Sequence, residues 1–152
     1  MLFFTHVLFG ILVALLAKGF LSGGDYLIFF CLVLLGAILP DIDEGSSKIT
    51  RWTGLLGKTI SFFSKHRGFF HSLGFVFLAV LVMRLFFGNY YAWGLFLGLG
   101  SHLLSDALTR QGINFFYPFS RLRIQGWVKT GGAGEMLVQV VVGGLIIWKV
   151  LG

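Results

Sequence analysis

The chain has 152 residues, of which 57% are apolar and 12% are charged, and its formal net charge is +6. A soluble domain carries roughly 25% charged residues, so this composition excludes an ordinary soluble domain, and the high apolar fraction excludes a disordered one. The basic residues are dispersed along the chain instead of forming a nucleic-acid-binding surface, so no nucleic-acid partner is expected. We therefore expect one integral-membrane domain over residues 1–152.

Apolar segments that could cross a bilayer follow one another along the chain. A helical span needs about 20 mostly apolar residues, with a range near 17–25. Five segments come close to that length, and the second and fifth must be short or tilted. They predict an all-α polytopic membrane bundle of about five transmembrane helices, at residues 2–21, 26–39, 69–87, 90–108 and 136–151.

The basic residues predict the orientation of these spans. Nine of the twelve Lys and Arg residues fall within residues 41–68 and 109–135, on the same side of a five-span bundle as the N-terminus. Because cytoplasmic loops carry an excess of Lys and Arg, this side is predicted to face the cytoplasm from a bacterial inner membrane. Residues 49–63 alternate apolar and basic residues at a nearly helical repeat, which predicts an interfacial helix on the bilayer surface.

The polar residues of the predicted helices gather on this same side. All four histidines and five of the six acidic residues are there, and only Asp25 lies opposite. Residues four apart share one helix face, and small residues let helices approach closely. Three of the predicted helices carry a stripe of residues at this spacing, with small residues along it and a polar residue at one end. We expect the polar ends of the three stripes to share a pocket. The stripes are His6, Gly10 and Ala14; Gly94, Gly98, His102 and Asp106; and Glu135, Gln139 and Gly143.

Imidazole and carboxylate groups are ligands that Zn²⁺, Mn²⁺ and Fe²⁺ use in proteins. His102 and Asp106 lie within a predicted span, where ionisable residues are costly and usually functional. Together the polar residues predict a divalent-metal site with enough ligands for two or more ions, zinc or manganese. Taken singly, several of them are explained equally well as interfacial, turn or solvated loop residues: His6, Asp41, Asp43, His66 and His71.

Five motifs carry a resemblance to a known family: Thr5-His6, and residues 39–43 (LPDID), 66–72 (HRGFFHS), 100–106 (GSHLLSD) and 129–135 (KTGGAGE). In this order, over nearly the whole chain, they resemble the YdjM-type inner-membrane family of metal-dependent hydrolases. More loosely, the order is similar to zinc-dependent phospholipase C enzymes, which implies an all-α fold, a multinuclear zinc centre and phosphodiester hydrolysis. The resemblance implies Glu135 as a further ligand or a base, and as metal ligands His6, Asp41, Asp43, His66, His71, His102 and Asp106.

These observations predict a membrane-embedded hydrolase that cleaves a phosphoester of a lipid or lipid-linked substrate at the cytoplasmic face, using a metal-activated water. Asp43 or Glu135 would relay the proton of that water. Arg67, with Arg121 or Arg123, would clamp the phosphate. Two alternatives stay open at this point: a non-enzymatic metal-binding protein, for divalent-metal transport or as an assembly scaffold, and a purely structural membrane partner.

Overall fold

The computed structural model of the chain describes residues 1–64, 67–120 and 122–152, and within them the regular structure is helical, as expected. The described chain also contains two short 3₁₀ helices, Leu39–Asp43 and Phe69–His71. Two isolated bridges, Thr109 with Val128 and Ile113 with Ile124, close the long loop before the last helix. The α-helices are α1 (Phe3–Ala17), α2 (Tyr26–Ile38), α3 (Lys48–Trp52), α4 (Leu55–Phe63), α5 (Leu73–Phe87), α6 (Asn89–Ala107) and α7 (Ala133–Leu151).

The helix α6 lies at the centre of the bundle and packs against α1, α2 and α5. Its approach to α2 is close because Gly98 stands at the crossing, where a Cβ would overlap the carbonyl oxygen of Val33. One turn further along α6, Nδ1 of His102 lies 2.7 Å from the carbonyl oxygen of Ala37 on α2. All four members of the predicted stripe on α6 are buried. The stripe therefore seats α6 on α2 and fixes where His102 lies.

The glycine at this crossing gives a prediction about stability. Gly98→Ala should lower the free energy of unfolding by about 1–3 kcal/mol, because the added methyl group forces α2 and α6 apart. Gly100→Ala is the matched control, since a Cβ there meets nothing within 4 Å. The control should be neutral or stabilising by up to about 1 kcal/mol, from its better helix propensity. Thermal unfolding in detergent compares the two variants, and equal effects would refute the close crossing.

Two helices of the described chain are long and apolar enough to cross a membrane: residues Tyr26–Asp43, which include α2, and α7. The helices α1 and α5 are apolar but have 15 residues each. Such a helix is about 22 Å long, less than the roughly 30 Å of the hydrocarbon core. The expected bundle of five spans is therefore not confirmed by helix length, whereas its all-helical character is.

The surface helix expected at residues 49–63 is present as two shorter helices. The helices α3 and α4 are separated at Gly54, whose φ of +60° is a left-handed conformation that favours glycine. The α4 segment remains amphipathic, with Leu55, Leu56 and Phe62 largely exposed. The expected single helix is divided because Gly54 takes a backbone conformation outside the helical region.

The acidic residue at the far end of the bundle has a structural role. Asp25 precedes α2, and its Oδ1 accepts hydrogen bonds from the backbone amides of Leu27 and Ile28. Such an N-terminal cap satisfies backbone donors that have no partner within the helix. Asp25 is therefore explained without a metal or a substrate.

Candidate metal centre

Three histidines from separate parts of the fold meet in one buried cluster. His6 lies in the first turns of α1, His71 ends the second 3₁₀ helix, and His102 lies in the last turns of α6. All three side chains have no exposed surface. The rings of His6 and His102 stack with their centroids 3.9 Å apart. The structure thus brings together three of the histidines that the sequence nominated as metal ligands.

Two carboxylates face these histidines. Oδ1 of Asp41, in the first 3₁₀ helix, lies 3.8 Å from Nε2 of His71 and 3.7 Å from Nε2 of His102. Oδ2 of Asp106, one turn after His102 on α6, lies 3.8 Å from Nε2 of His71. Its Oδ1 lies 3.5 Å from Nε2 of His6. We call these five residues the candidate metal centre.

Hydrogen bonds behind the histidines determine which ring nitrogen faces the centre. A carbonyl or carboxylate oxygen only accepts, and the hydroxyl of Ser105 donates to the carbonyl of His102, so the Nδ1 atoms are the donors. The acceptors are the carbonyl oxygen of Ala37 for His102 (2.7 Å), Oδ2 of Asp43 for His71 (3.2 Å) and Oγ of Ser105 for His6 (2.9 Å). Each Nε2 therefore faces the centre, as in metal-binding histidines oriented by an outer hydrogen bond.

The spacing of these atoms is close to that of the ligands around a bound metal ion. Ligand atoms about 2.0–2.2 Å from zinc lie about 3.3–3.6 Å from one another. The Nε2 atoms of His71 and His102 are 3.2 Å apart, and the distances from Nε2 to carboxylate oxygen are 3.5–3.8 Å. Nε2 of His6 is buried and has no hydrogen-bond partner, a costly state that a bound cation would relieve. The donors present could hold a divalent metal.

His71 lies in an environment that favours a positive charge. Oδ2 of Asp43 lies 3.2 Å from its Nδ1, and carboxylate oxygens of Asp41 and Asp106 each lie 3.8 Å from its Nε2. Nearby negative charges favour the charged form of a histidine. The carboxylates of the centre thus attract a cation to this position.

Arg67 lies behind Asp106 in a buried ion pair. Its Nη2 is 2.9 Å from Oδ2 of Asp106, and its Nη1 donates to the carbonyl oxygen of Gly112 at 2.6 Å. The N-terminal ammonium group of Met1 contacts Oδ1 of the same carboxylate. Moving Asp106 away from these cations would leave buried charges without a partner, which is costly. The two cations therefore hold Asp106 in position.

A cavity of about 370 Å³ adjoins the centre. Asp41 and Arg67 line it, so the cavity reaches the carboxylate of the metal centre and the arginine behind Asp106. Lys48 and Arg51 of α3 line the same cavity, and Thr130 contributes from the loop before α7. The centre thus has a space beside it in which a small polar group could bind.

The family model described as YdjM inner membrane protein matches residues 1–150. The chain belongs to the YdjM family. It is 34% identical over 136 residues to the uncharacterized protein YvsG of Bacillus subtilis (strain 168), which covers 88% of this chain and 84% of that protein. It is 31% identical over 156 residues to inner membrane protein YdjM of Escherichia coli (strain K12) and of Shigella flexneri, covering 95% of this chain and 79% of each relative. No solved structure matches the chain.

Membership in the YdjM family confirms the resemblance seen in the sequence motifs and supports an inner-membrane location. Five of the residues nominated as metal ligands meet in the centre, and two of the nominated residues, His66 and Arg121, lie outside the described residues. Arg123 is exposed and does not line the cavity beside the centre. Asp43 is buried behind His71, on the Nδ1 side of the ring.

Glu135, nominated as a ligand or a base, lies in a network of hydrogen bonds at the start of α1. Its Oε1 accepts from the backbone amide of Leu2 and from Oγ1 of Thr5, both at 2.6 Å. Its Oε2 accepts from the backbone amide of Gly131 at 2.6 Å. Since Thr5 also accepts from Nε2 of Gln139 at 2.8 Å, the network joins α1 to α7 and positions the residue that precedes His6.

Sequence reasoning missed two of the three groups that orient the histidines, Ser105 and the carbonyl of Ala37. Ser105 stands three residues after His102, so helical spacing could have placed it on the same face of α6. Ala37 contributes only its backbone carbonyl oxygen, for which the side-chain pattern carries no signal. These contacts depend on which helices cross, and that is decided by the packing of α2, α6 and α1.

Proposed function

We propose that this YdjM-family protein is a membrane metal-dependent hydrolase that cleaves a phosphoester of a lipid or lipid-linked substrate. The convergence of three Nε2 atoms and two carboxylates beside a cavity with basic residues carries the proposal. A divalent metal, zinc or manganese, would supply an activated water near neutral pH. The basic residues of the cavity favour an anionic substrate.

The residues of the chain divide into ligands and positioning residues. Those that would hold the metal are His6, Asp41, His71, His102 and Asp106. Asp43 holds the Nδ1 proton of His71, and Arg67 holds the carboxylate of Asp106. Asp43 then acts through the ligand that it orients, which differs from the proton relay that the sequence suggested. Arg67 orients Asp106 and also lines the cavity beside it.

The donor set favours one metal ion bound through His102. Two groups could hold an ion, and His102 belongs to both of them. Since Nδ1 of His102 is hydrogen-bonded to Ala37, His102 offers one nitrogen, and one nitrogen lone pair binds one ion. We therefore propose a single ion here, fewer than the ligand count by itself suggested. The groups are His6, Asp41 and His102, and His71, His102 and Asp106.

The proposed membrane arrangement has five crossings with the metal centre at the cytoplasmic face. The positive charges within residues 41–68 and 109–135 support that orientation. The helices α1 and α5 would cross with the help of their flanking residues and local thinning of the bilayer. Labelling of single cysteines placed at Ser22 and Ser46, with Cys31 replaced by serine, from either side of sealed vesicles tests this arrangement, since the two positions should be reached from opposite sides.

Hydrolysis by the purified protein tests the proposed activity. Zinc- or manganese-loaded protein in detergent should release phosphate or a phosphorylated headgroup from at least one membrane phospholipid or lipid pyrophosphate. His102→Ala should lower that rate at least about 100-fold, because a metal ligand is lost. Lys58→Gln, a change of an exposed basic residue on α4 away from the centre, should keep the wild-type rate. Full activity of His102→Ala would refute the mechanism.

The same preparation distinguishes the alternative of metal transport. Transport requires polar groups along the whole path across the bilayer, and the acidic residue at the far end of the described bundle, Asp25, is a helix cap. Proteoliposomes should therefore show no protein-dependent zinc uptake. Uptake without hydrolysis would replace the hydrolase by a transporter.

A further inference from the structure

Two of the basic residues beside the metal centre belong to a segment that the sequence analysis did not nominate for phosphate binding. Lys48 and Arg51 lie on α3 and line the cavity of about 370 Å³, together with Arg67. Arg123, the other described arginine nominated for phosphate binding, does not line it. The α3 segment therefore supplies the cations that a ligand in this cavity would meet.

The charges of the cavity wall favour an anion. Among the described residues, three basic side chains line it (Lys48, Arg51 and Arg67), against the carboxylates of Asp41 and Glu44. Oε1 of Glu44 already accepts hydrogen bonds from the backbone amide and the hydroxyl of Ser46. Asp41 faces His71 and His102 of the metal centre. Arg67 is paired with Asp106, so Lys48 and Arg51 supply the positive charge that favours an anion.

Lys48 is held in place by aromatic rings. Its Nζ lies 3.9 Å from the ring centroid of Phe4 and 4.7 Å from that of Phe3. A cation over an aromatic face is attracted by the ring quadrupole, which restricts the side chain without neutralising its charge. Lys48 can therefore present a positioned charge to the cavity.

Two residues of the cavity wall carry buried polar atoms without a hydrogen-bond partner. They are Nε of Arg67 and Oγ1 of Thr130. Arg67 is 9% exposed, and its Nε–H has no acceptor among the described residues. A buried donor without an acceptor is costly, and an oxyanion is the kind of acceptor that both groups lack.

We propose that this cavity is an oxyanion subsite that binds a phosphate-type headgroup through Lys48, Arg51, Arg67 and Thr130. The inference rests on the proposed hydrolase for its meaning, because it names the groups that recognise the substrate next to the metal centre. Binding itself requires no metal. The subsite can therefore be tested apart from the reaction.

Isothermal titration of inorganic phosphate into chelator-treated full-length protein in detergent measures the subsite directly. Arg51→Gln and Lys48→Gln should each weaken binding by at least about tenfold, since hydrogen bonds to charged groups are among the stronger ones. Lys58→Gln is the matched control and should bind as the wild type does. Thr130→Val should weaken binding about fivefold, from one neutral hydrogen bond, and Thr130→Ser should restore it.

Equal phosphate affinity in Arg51→Gln, Lys48→Gln and Lys58→Gln would overturn the subsite, and so would absence of binding to the wild type. Either result would leave the hydrolase intact if the metal-loaded protein still cleaves a phospholipid. If the metal-loaded wild type binds phosphate but hydrolyses none of the lipids, the proposed hydrolase is refuted and the subsite is retained. Arg67→Gln is unsuitable as the deciding variant, because it also breaks the buried ion pair with Asp106.

Mixed micelles separate a lipid headgroup from free phosphate as the source of the oxyanion. Phosphatidic acid in dodecylmaltoside micelles should compete with inorganic phosphate in the wild type, and phosphatidylcholine at the same mole fraction should compete less, because its phosphate is blocked by choline. Competition that persists unchanged in Arg51→Gln would place the lipid elsewhere and overturn the subsite. Competition by sn-glycerol 3-phosphate alone would support the subsite with a soluble phosphomonoester as its ligand.

Discussion

Asp106→Asn and His102→Ala should each remove the stoichiometric divalent metal from protein purified in detergent, as measured by inductively coupled plasma mass spectrometry. The wild type should retain about one zinc or manganese ion per chain after reconstitution. Asp106 contributes both of its carboxylate oxygens near the Nε2 atoms of His6 and His71. Loss of one such ligand should weaken affinity by at least about 100-fold, more than the 10–100-fold typical of an outer-shell change.

Asp25→Asn is the control for the loss of a carboxylate. Asparagine caps a helix as well as aspartate does, so the cap of α2 is kept and the metal content should equal that of the wild type. Circular dichroism should show equal helix content in all three variants. A full complement of metal in both Asp106→Asn and His102→Ala would show that the ion binds elsewhere.

Glu135→Ala should cause a large loss of stability, although Glu135 lies outside the metal centre. The substitution leaves three donors without their acceptor: the amides of Leu2 and Gly131 and the hydroxyl of Thr5. At about 1 kcal/mol or more for each unsatisfied group, the cost is about 3 kcal/mol. For a chain of this size the apparent Tm should fall by about 6–12 °C, measured by fluorimetry in detergent.

Two variants distinguish this role of Glu135 from that of a ligand or base. Glu135→Gln keeps an oxygen for Leu2 and Thr5 and loses chiefly the bond from Gly131, so it should be less destabilised than Glu135→Ala and should retain the metal. Gln139→Ala removes one hydrogen bond to Thr5 and should cost about 1 kcal/mol. Loss of the ion from Glu135→Gln with unchanged Tm would make Glu135 a ligand instead.

The local pattern of the sequence was sufficient to place the candidate centre at one end of the bundle. The spacing of four between Gly94, Gly98, His102 and Asp106 predicted a shared face, and that face is buried against α2. This inference succeeds because helical periodicity acts over a few residues and needs no knowledge of the partner helix. The same reasoning could not foresee the break at Gly54, because its backbone conformation interrupts a regular apolar pattern.

The roles of the charged residues depended on contacts between distant segments. Arg67 is 39 positions before Asp106, and nothing in either motif indicates that the guanidinium pairs with that carboxylate. Likewise, the sequence pattern predicts Lys48 and Arg51 as surface charges of an interfacial helix, whereas in the structure both residues line a cavity together with Asp41. A charged side chain can pair with any opposite charge within reach, and the fold decides which one is there.

Composition and helical period predicted a helical membrane protein with most of its histidines and carboxylates at one end, because both are local properties of the chain. The packing of the helices then determines that Nε2 of His6, His71 and His102 face the centre and that Glu135 anchors α1. Those assignments depend on acceptors from other helices, including the backbone carbonyl of Ala37. The direction of a hydrogen bond is set by which groups meet across the packed helices, and side-chain identities along one chain do not specify it.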